Sequence, residues 1–113
     1  MSTITGAQVA AEALQQKNVE YIFTLSGGHI TPLYQYLENS NITLFDTRHE
    51  QAAVFMAEAW GRTKREPGVA LVTAGPGFTN ALTSIANARQ ANSPLVLISG
   101  CVGIESCEKL DLQ

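Results

Sequence analysis

One acidic residue, Glu50, has the position and the surroundings that proton chemistry in a protein requires. It closes a polar elbow, residues 46–50, which follows a short apolar run and precedes a stretch, 51–60, that is apolar on nearly every side. This pattern predicts a strand that leads into a buried helix, with Glu50 in the first helical turn. Because a charged group is costly to bury, the role of Glu50 indicates what the chain does.

A purely structural role for Glu50 is the alternative. The segment from Thr47 to Glu50 fits a capping box, in which the threonine hydroxyl accepts from a helix amide and the glutamate reaches back to the cap amide. Such a cap contributes about 1 kcal/mol and involves no chemistry. Spacing alone favours the cap, so the choice between the two roles depends on the other motifs.

Length and composition limit the classes of protein to consider. The chain has 113 residues, enough for one domain with a hydrophobic core. It is 45% hydrophobic and only 15% charged, which predicts a folded protein whose thinly charged exterior is partly covered by another chain or domain. The net charge of -3, without a basic cluster, argues against a nucleic-acid partner.

The sequence carries no pattern typical of a membrane or secreted protein. No apolar run is long enough to span a bilayer, and the first residues do not resemble a signal peptide. We therefore expect a cytoplasmic protein with no membrane partner. Cys101 and Cys107 have no neighbouring histidine, so we expect free thiols and predict no metal site in this chain.

Helix and strand patterns alternate along the chain. The predicted strands are 21–25, 42–45, 69–73 and 95–99, and the predicted helices are 5–17, 31–38, a central helix from Glu50, and 78–90. This alternation predicts an α/β fold, with a doubly wound, mostly parallel sheet and helices on both faces. Because residues 101–113 show no clear period, we expect the sheet to be truncated before its last strands.

Local signals predict where the helices begin and end. Thr5 and Thr31 are the predicted N-caps of the first two helices, and Asn18 is expected to end the first helix in a left-handed conformation. Three large apolar side chains of the central helix are expected in the core rather than in a substrate pocket: Phe55, Met56 and Trp60.

Ligands of parallel α/β sheets bind at the carboxyl ends of the strands. Three polar or glycine-rich elbows are predicted at that edge: residues 26–29, 46–50 and 73–80. A nucleotide site is not indicated, because Gly75 and Gly77 supply only two of the three glycines of a dinucleotide fingerprint, and no phosphate-binding loop occurs. A site at this edge would be assembled from loops far apart in sequence.

Three segments together resemble a known family. Residues 46–53 (DTRHEQAA), 69–80 (VALVTAGPGFTN) and 93–96 (SPLV) are similar to the N-terminal pyrimidine-binding domain of thiamine-diphosphate enzymes, in the acetolactate synthase and benzaldehyde lyase branch. Residues 23–30 (FTLSGGHI) also resemble the first strand and turn of the lyase-like members. The resemblance implies that residues 1–113 form a single, incomplete pyrimidine-binding domain of a chain normally several times longer.

The resemblance implies specific roles for individual residues. Glu50 matches the catalytic glutamate that hydrogen-bonds the pyrimidine ring of thiamine diphosphate and promotes its reactive tautomer. His29 resembles a histidine that meets substrate in the lyase-like members, although a turn histidine bonded to local backbone is equally compatible with the sequence. Gln113 matches a glutamine that reaches the active site in relatives, and His49 is expected to be structural.

The glycine-rich elbow has an implied role in binding the cofactor. Gly75, Pro76 and Gly77 resemble the loop that passes beside the pyrimidine, where absent side chains let the backbone approach. Thr73 and Asn80 match positions that could fix this loop by hydrogen bonds, and a role as simple turn and cap residues stays open.

One family motif is absent. No Gly-Asp-Gly segment with a following asparagine loop occurs in the sequence, and that segment is the family's device for holding Mg²⁺ and the diphosphate. We therefore expect Mg²⁺ to be held by a domain absent from this chain, and the chain to be inactive alone. The expected partners are a diphosphate-binding domain or subunit and a small carbonyl substrate, in a homo- or hetero-oligomer.

Two functions follow from these patterns. In the first, the chain is the cofactor-activating part of a transferase or lyase that makes or breaks a C–C bond next to a carbonyl. Such an enzyme would be acetolactate synthase-like or 2-hydroxy ketone lyase-like. In the second, the chain is a non-catalytic binding or assembly module derived from the same domain.

Overall fold

The computed structural model describes residues 3–103 of the chain. Two residues singled out in the sequence, Cys107 and Gln113, lie outside the described residues, so the catalytic role predicted for Gln113 stays a prediction. In order along the chain, the elements are α1 (Gly6–Gln16), β1 (Tyr21–Thr24), α2 (Thr31–Leu37), β2 (Thr43–Asp46), α3 (Glu50–Lys64), β3 (Gly68–Val72), α4 (Pro76–Gln90) and β4 (Leu95–Ser99).

The strands form one parallel sheet in the order β2-β1-β3-β4. Side chains alternate between the two faces of the sheet, as strand geometry requires. Ile22 and Leu71 pack with residues of α1 and α2, whereas Phe23 and Ala70 pack with residues of α3 and α4. Helices therefore cover both faces, and the predicted α/β fold with a parallel sheet is confirmed.

The central strands are buried and one edge strand is not. All five residues of β3 are buried, as expected for a strand covered on both faces. All four residues of β2 are exposed, because β2 lies at the edge of the sheet. Among residues 3–103, no helix is both long and apolar enough to cross a membrane.

Of the helix ends predicted from the sequence, those at Thr5 and Asn18 are confirmed and the one at Thr31 is wrong. Thr5 caps α1 by accepting from the Gln8 amide at 3.2 Å, and Asn18 follows that helix with φ 54°, in the left-handed region. Thr31 is not a cap. It is the first residue of α2, and its hydroxyl donates to the Gly27 carbonyl at 3.1 Å because the preceding loop turns back toward the helix.

The capping box of residues 47–50, the alternative role considered for Glu50, does not form. His49 is the N-cap of α3, and its Nδ1 atom accepts from the Gln51 amide at 3.1 Å, which confirms a structural role for this histidine. Thr47 lies before the cap and bonds to the sheet instead. Glu50 is the first residue of α3, so its side chain is available for another partner.

The core prediction for α3 needs one correction. Phe55 is 36% exposed and Met56 is 41% exposed, whereas Trp60 is half-buried and packs against the core. The reason is geometric, since the face of α3 that carries Ala53, Val54 and Ala57 is the one that packs against the sheet.

Candidate functional site

The three predicted elbows meet at the carboxyl edge of the sheet. A side chain at Gly27, in the first elbow, would overlap the Thr73 side chain in the third. A β-carbon at Gly77 would lie 2.8 Å from Thr73 Cγ2 and 3.6 Å from Glu50 Oε1. The parallel register of β1, β2 and β3 brings these segments together, because their carboxyl ends lie at the same edge.

Glu50 is buried and only partly bonded. Glu50 is 8% exposed, and its Oε2 atom accepts a hydrogen bond from Asn80 Nδ2 at 3.0 Å. Among residues 3–103, no group hydrogen-bonds the second oxygen, Oε1. No fully buried polar side-chain atom in this part of the chain lacks a partner, so Oε1 retains some access to solvent. The carboxyl group therefore has one oxygen that a ligand can reach.

The loop before α3 is anchored to the sheet. The Thr47 amide donates to the Thr24 carbonyl at 2.8 Å, and the Thr47 hydroxyl lies 3.0 Å from the same carbonyl and 3.1 Å from the His49 carbonyl. Both threonines are buried. These bonds fix the point at which α3 begins, and with it the position of Glu50.

Thr24 is itself held from two sides. Its hydroxyl donates to the Leu71 carbonyl at 2.7 Å, so the Tyr34 hydroxyl, 2.6 Å away, donates to Thr24 Oγ1. Burial raises the pKa of Tyr34, and the negative charge of Asp46 adds to that rise. Tyr34 therefore stays a neutral donor and supports the anchored loop.

In the glycine-rich elbow the backbone lies close to the side chains of Thr73 and Glu50, as the missing glycine side chains predict. Gly75 has φ 62° and ψ -116°, a conformation that only glycine adopts readily, and α4 begins directly after it at Pro76. The helix thus starts two residues earlier than predicted. Gly77 is buried between Thr73 and Glu50, so its missing side chain leaves space beside Glu50 Oε1.

The side chains of Thr73 and Asn80 form no hydrogen bond to the glycine loop within residues 3–103. The sequence left two roles open for them, hydrogen bonds that fix this loop or simple turn and cap positions. Instead, the Asn80 amide bonds to Glu50, and Thr73 Oγ1 lies 3.4 Å from His29 Nδ1. The difference arises because α4 packs against α3, which brings Asn80 next to the start of α3.

His29 lies at the same edge as Glu50. It is exposed, its Nδ1 atom faces Thr73, and a β-carbon at Gly100 would lie 2.6 Å from His29 Cβ. The His29 side chain therefore contacts a residue 44 positions away, across the sheet edge. The exposed ring is available to a molecule bound at this edge.

Several residues of the site were not singled out in the sequence. Ser99 donates to the Thr73 carbonyl at 3.3 Å, and Gly100 packs against His29, so the end of β4 forms one wall of the site. An open groove of about 540 Å³ lies between this wall and the start of α4. The ends of predicted parallel strands were the available signal for Ser99 and Gly100.

A second buried acid, Glu58, lies on α3. It is 5% exposed, and its Oε1 atom accepts from Ser93 Oγ at 2.6 Å and from Arg62 at 3.3 Å. This acid fixes α3 to the loop before β4. Its partners are protein groups, and it lies away from the carboxyl edge of the sheet.

An apolar groove of about 410 Å³ lies at the opposite, amino edge of the sheet. Its lining includes Val19, Tyr21, Trp60 and Val96. Neither Glu50 nor His29 reaches this groove, so its shape does not bear on the acid chemistry.

The residues at the carboxyl edge leave space for a ligand beside a buried acid. Glu50 offers one unbonded oxygen in a buried setting, and Gly77 places no side chain beside it. Fold and site together define a class of protein: a parallel α/β domain that presents a buried acid to a ligand at the carboxyl ends of its strands.

The comparison with protein families gives the class its family. The family model described as thiamine pyrophosphate enzyme, N-terminal TPP binding domain, matches residues 4–113 of the chain. The chain therefore belongs to this family, as the sequence motifs predicted, and the family implies thiamine diphosphate as the cofactor.

Curated relatives agree with this assignment. The chain is 45% identical over 98 residues to the acetolactate synthase large subunit IlvG of Mycobacterium tuberculosis, which covers 87% of this chain and 18% of that protein. It is 50% identical over 95 residues to 2-hydroxyacyl-CoA lyase 2 of Danio rerio and 48% identical over 95 residues to that of Homo sapiens. Each lyase match covers 84% of this chain and 15% of the lyase. The chain thus spans less than a fifth of the length of these relatives.

Proposed function

We propose that this chain is the cofactor-activating part of a thiamine-diphosphate enzyme that makes or breaks a C–C bond next to a carbonyl. The observation that carries the proposal is the position of Glu50, a buried acid whose unbonded oxygen faces the glycine elbow at the carboxyl edge of the sheet. When bound, thiamine diphosphate would supply a nucleophilic thiazolium carbon and accept electrons from the substrate.

Glu50 would provide the proton control that this cofactor needs. Its carboxyl group would share a proton with a ring nitrogen placed beside Gly75–Gly77. Burial favours this exchange, because few water molecules compete for the carboxyl oxygen. The anchored loop at Thr47 holds the first turn of α3 in place, so Glu50 keeps its position without rearrangement.

His29 would act on the substrate rather than on the cofactor. Its exposed ring lies at the same edge of the sheet as Glu50, and its Nδ1 atom lies 3.4 Å from Thr73 Oγ1. A histidine in this position can donate a hydrogen bond to a substrate oxygen or accept one from it.

The substrate class is supported by the relatives. One is named an acetolactate synthase and the others are named 2-hydroxyacyl-CoA lyases. We propose a small carbonyl substrate for this chain, of either the acetolactate synthase type or the 2-hydroxy ketone or 2-hydroxyacyl lyase type.

A partner would hold the diphosphate end of the cofactor and Mg²⁺. The absence of the Gly-Asp-Gly motif from the sequence supports this part of the proposal. Four large apolar side chains are exposed on α3 and α4: Phe55, Met56, Phe78 and Leu82. Exposed apolar side chains on neighbouring helices suit contact with a second domain or subunit. The partner could be a separate subunit or part of a longer chain.

Reconstitution tests the proposal. The chain would be mixed with a separately produced diphosphate-binding domain, thiamine diphosphate and Mg²⁺, and supplied in turn with pyruvate, benzoin and a 2-hydroxyacyl-CoA. Product formation that is lost in Glu50→Gln and kept in the matched control Glu58→Gln supports the proposal. If every pairing is inactive with every substrate, the chain is better described as a non-catalytic binding or assembly module.

A further inference from the structure

We infer that Asn80 is a positioning residue, which directs the proton of the Glu50 carboxyl group to one particular oxygen. This inference rests on the proposed function, because it concerns how Glu50 meets the cofactor. It also changes the role of Asn80, which the sequence motif suggested as a cofactor-loop residue.

The geometry separates the two oxygens of Glu50. Asn80 Nδ2 donates to Oε2 at 3.0 Å, and Oε1 has no hydrogen-bond partner among residues 3–103. Oε1 is also the oxygen 3.6 Å from the β-carbon position of Gly77, so it faces the glycine elbow. Asn80 is a neutral group on α4, whereas Glu50 is the first residue of α3. The hydrogen bond between Asn80 and Glu50 therefore joins α4 to the start of α3.

Hydrogen-bond chemistry then decides where the proton resides. An amide nitrogen only donates, so the oxygen that it faces must accept, and the carbonyl oxygen of a protonated carboxyl group accepts more strongly than its hydroxyl oxygen. The Asn80 donor therefore favours the protonated form in which Oε2 is the carbonyl oxygen and Oε1 carries the proton. Oε1 faces the glycine elbow, where a ring nitrogen would be bound. Asn80 would therefore place the proton of Glu50 on the side of the ligand.

Rotation of the Asn80 amide would produce the opposite result. A rotated amide would present Oδ1, which accepts, and would draw the proton to Oε2, away from the glycine elbow. Asn80→Ala removes the preference of the proton for Oε1 without reversing it, because no side-chain group at position 80 then donates or accepts. Asn80→Asp keeps the shape but leaves only acceptor oxygens when ionised. The two variants therefore separate loss of the donor from reversal of its polarity.

A first experiment examines the bond in the chain without cofactor. In a ¹⁵N NMR spectrum, one side-chain N–H of Asn80 is expected to exchange with water more slowly than those of Asn87, an exposed asparagine on the same helix. Glu50→Ala is expected to remove this difference. Equal exchange at Asn80 and Asn87 would overturn the inference, whatever the activity of any variant.

A second experiment measures activation in the reconstituted complex. The observable is the rate at which the thiazolium carbon of bound thiamine diphosphate exchanges its proton for deuterium in D₂O. We expect Asn80→Ala to slow this exchange about tenfold, a change typical of losing one hydrogen bond to a charged group. Asn80→Asp should slow it more, while Asn87→Ala and Asn87→Asp leave it unchanged. KM for the substrate should change little, because Asn80 acts through Glu50.

The outcomes distinguish this inference from the proposed function. If Glu50→Gln stops deuterium exchange but both Asn80 variants match the unmodified chain, the function stands and the role of Asn80 is overturned. If Glu50→Gln also leaves exchange unchanged, both proposals fail. Circular dichroism of each variant checks the fold, which should persist because the Asn80 side chain is exposed.

Discussion

The two buried acids of α3 have different surroundings. Glu58, in the middle of the helix, receives hydrogen bonds from Ser93 and from the positively charged Arg62. Glu50, at the helix start, receives one bond from the neutral Asn80 and, within residues 3–103, has an oxygen without a protein partner. Both hydrogen bonds of Glu58 reach its Oε1 atom, so each acid has one oxygen without a hydrogen-bond partner among residues 3–103. The two acids differ instead in the charge of their partners and in their position, because Glu50 lies at the carboxyl edge of the sheet beside the glycine elbow.

The amino and carboxyl edges of the sheet differ in the grooves and the polar groups that they carry. The amino edge has the more enclosed and more apolar groove, but none of its lining residues is a buried acid. The carboxyl edge has a shallower groove, yet it brings together Glu50, His29 and the glycine elbow. The more apolar groove is therefore at the opposite edge from the polar groups at the strand ends.

The largest expected effect separates Glu50 from Glu58 by activity. Glu50→Gln should lower the rate of product formation in the reconstituted complex by about 10²–10⁴-fold, the size typical of a lost acid-base group. The midpoint of thermal unfolding, Tm, should change little, because glutamine still offers Asn80 an oxygen. Steady-state kinetics and differential scanning fluorimetry measure the two effects. A fall in Tm with activity retained would reverse the assignment of the two acids.

The next effect concerns Glu58 and appears in stability. Glu58→Ala should lower the free energy of unfolding by about 1–3 kcal/mol, because the buried Ser93 bond and the Arg62 contact are lost together. Urea denaturation followed by circular dichroism measures this change. Glu58→Gln is the control, since it keeps an acceptor for Ser93 and should recover part of the loss. Activity per folded molecule is expected to be unchanged in both variants.

A smaller effect tests the anchor that positions Glu50. Tyr34→Phe removes the donor to Thr24 and should cost about 1 kcal/mol of stability near neutral pH. Burial raises the pKa of Tyr34 above 10.0, so the folded state favours the neutral phenol. The stability from this group is therefore complete below about pH 10 and is lost as the pH rises through the titration of the folded form.

Urea midpoints between neutral pH and about pH 11 measure that dependence, since this range brackets the titration of a tyrosine. The unmodified chain should lose more stability over the alkaline range than Tyr34→Phe, which lacks the titrating group. Tyr36→Phe is a comparison variant, because Tyr36 is an exposed tyrosine on the same helix. Parallel curves for the unmodified chain and Tyr34→Phe would show that Tyr34 is not favoured in its neutral form.

The smallest effect concerns the charge beside Glu58. The Arg62 side chain is 61% exposed, so its ion pair with Glu58 should contribute less than about 1 kcal/mol. Arg62→Ala is therefore expected to shift the urea midpoint only slightly, and the shift should shrink further at high salt. Arg89→Ala, at an exposed position on α4, controls for loss of surface charge. A loss as large as that of Glu58→Ala would mean that the ion pair, rather than Ser93, satisfies the acid.

Much of this architecture could be predicted from the chain. Alternating apolar patterns located every described strand within one residue or so, and β4 was predicted with its observed bounds, Leu95–Ser99. Local cap chemistry was less reliable. Thr5 acts as a cap, but Thr31 and Thr47 bond elsewhere, because a threonine hydroxyl takes whichever carbonyl or amide the fold brings nearest.

The sequence by itself determined the periodicity of the strands and helices, the glycines of the third elbow, and the placement of Glu50 at a helix start. These features depend on neighbours within a few positions along the chain. Only the tertiary structure decided that Asn80 bonds Glu50 across 30 positions, that Thr73 faces His29, and that Ser93 donates to Glu58. The physical reason is that a hydrogen bond depends on distances within about 3 Å, which helix packing sets and which residue spacing along the chain does not specify.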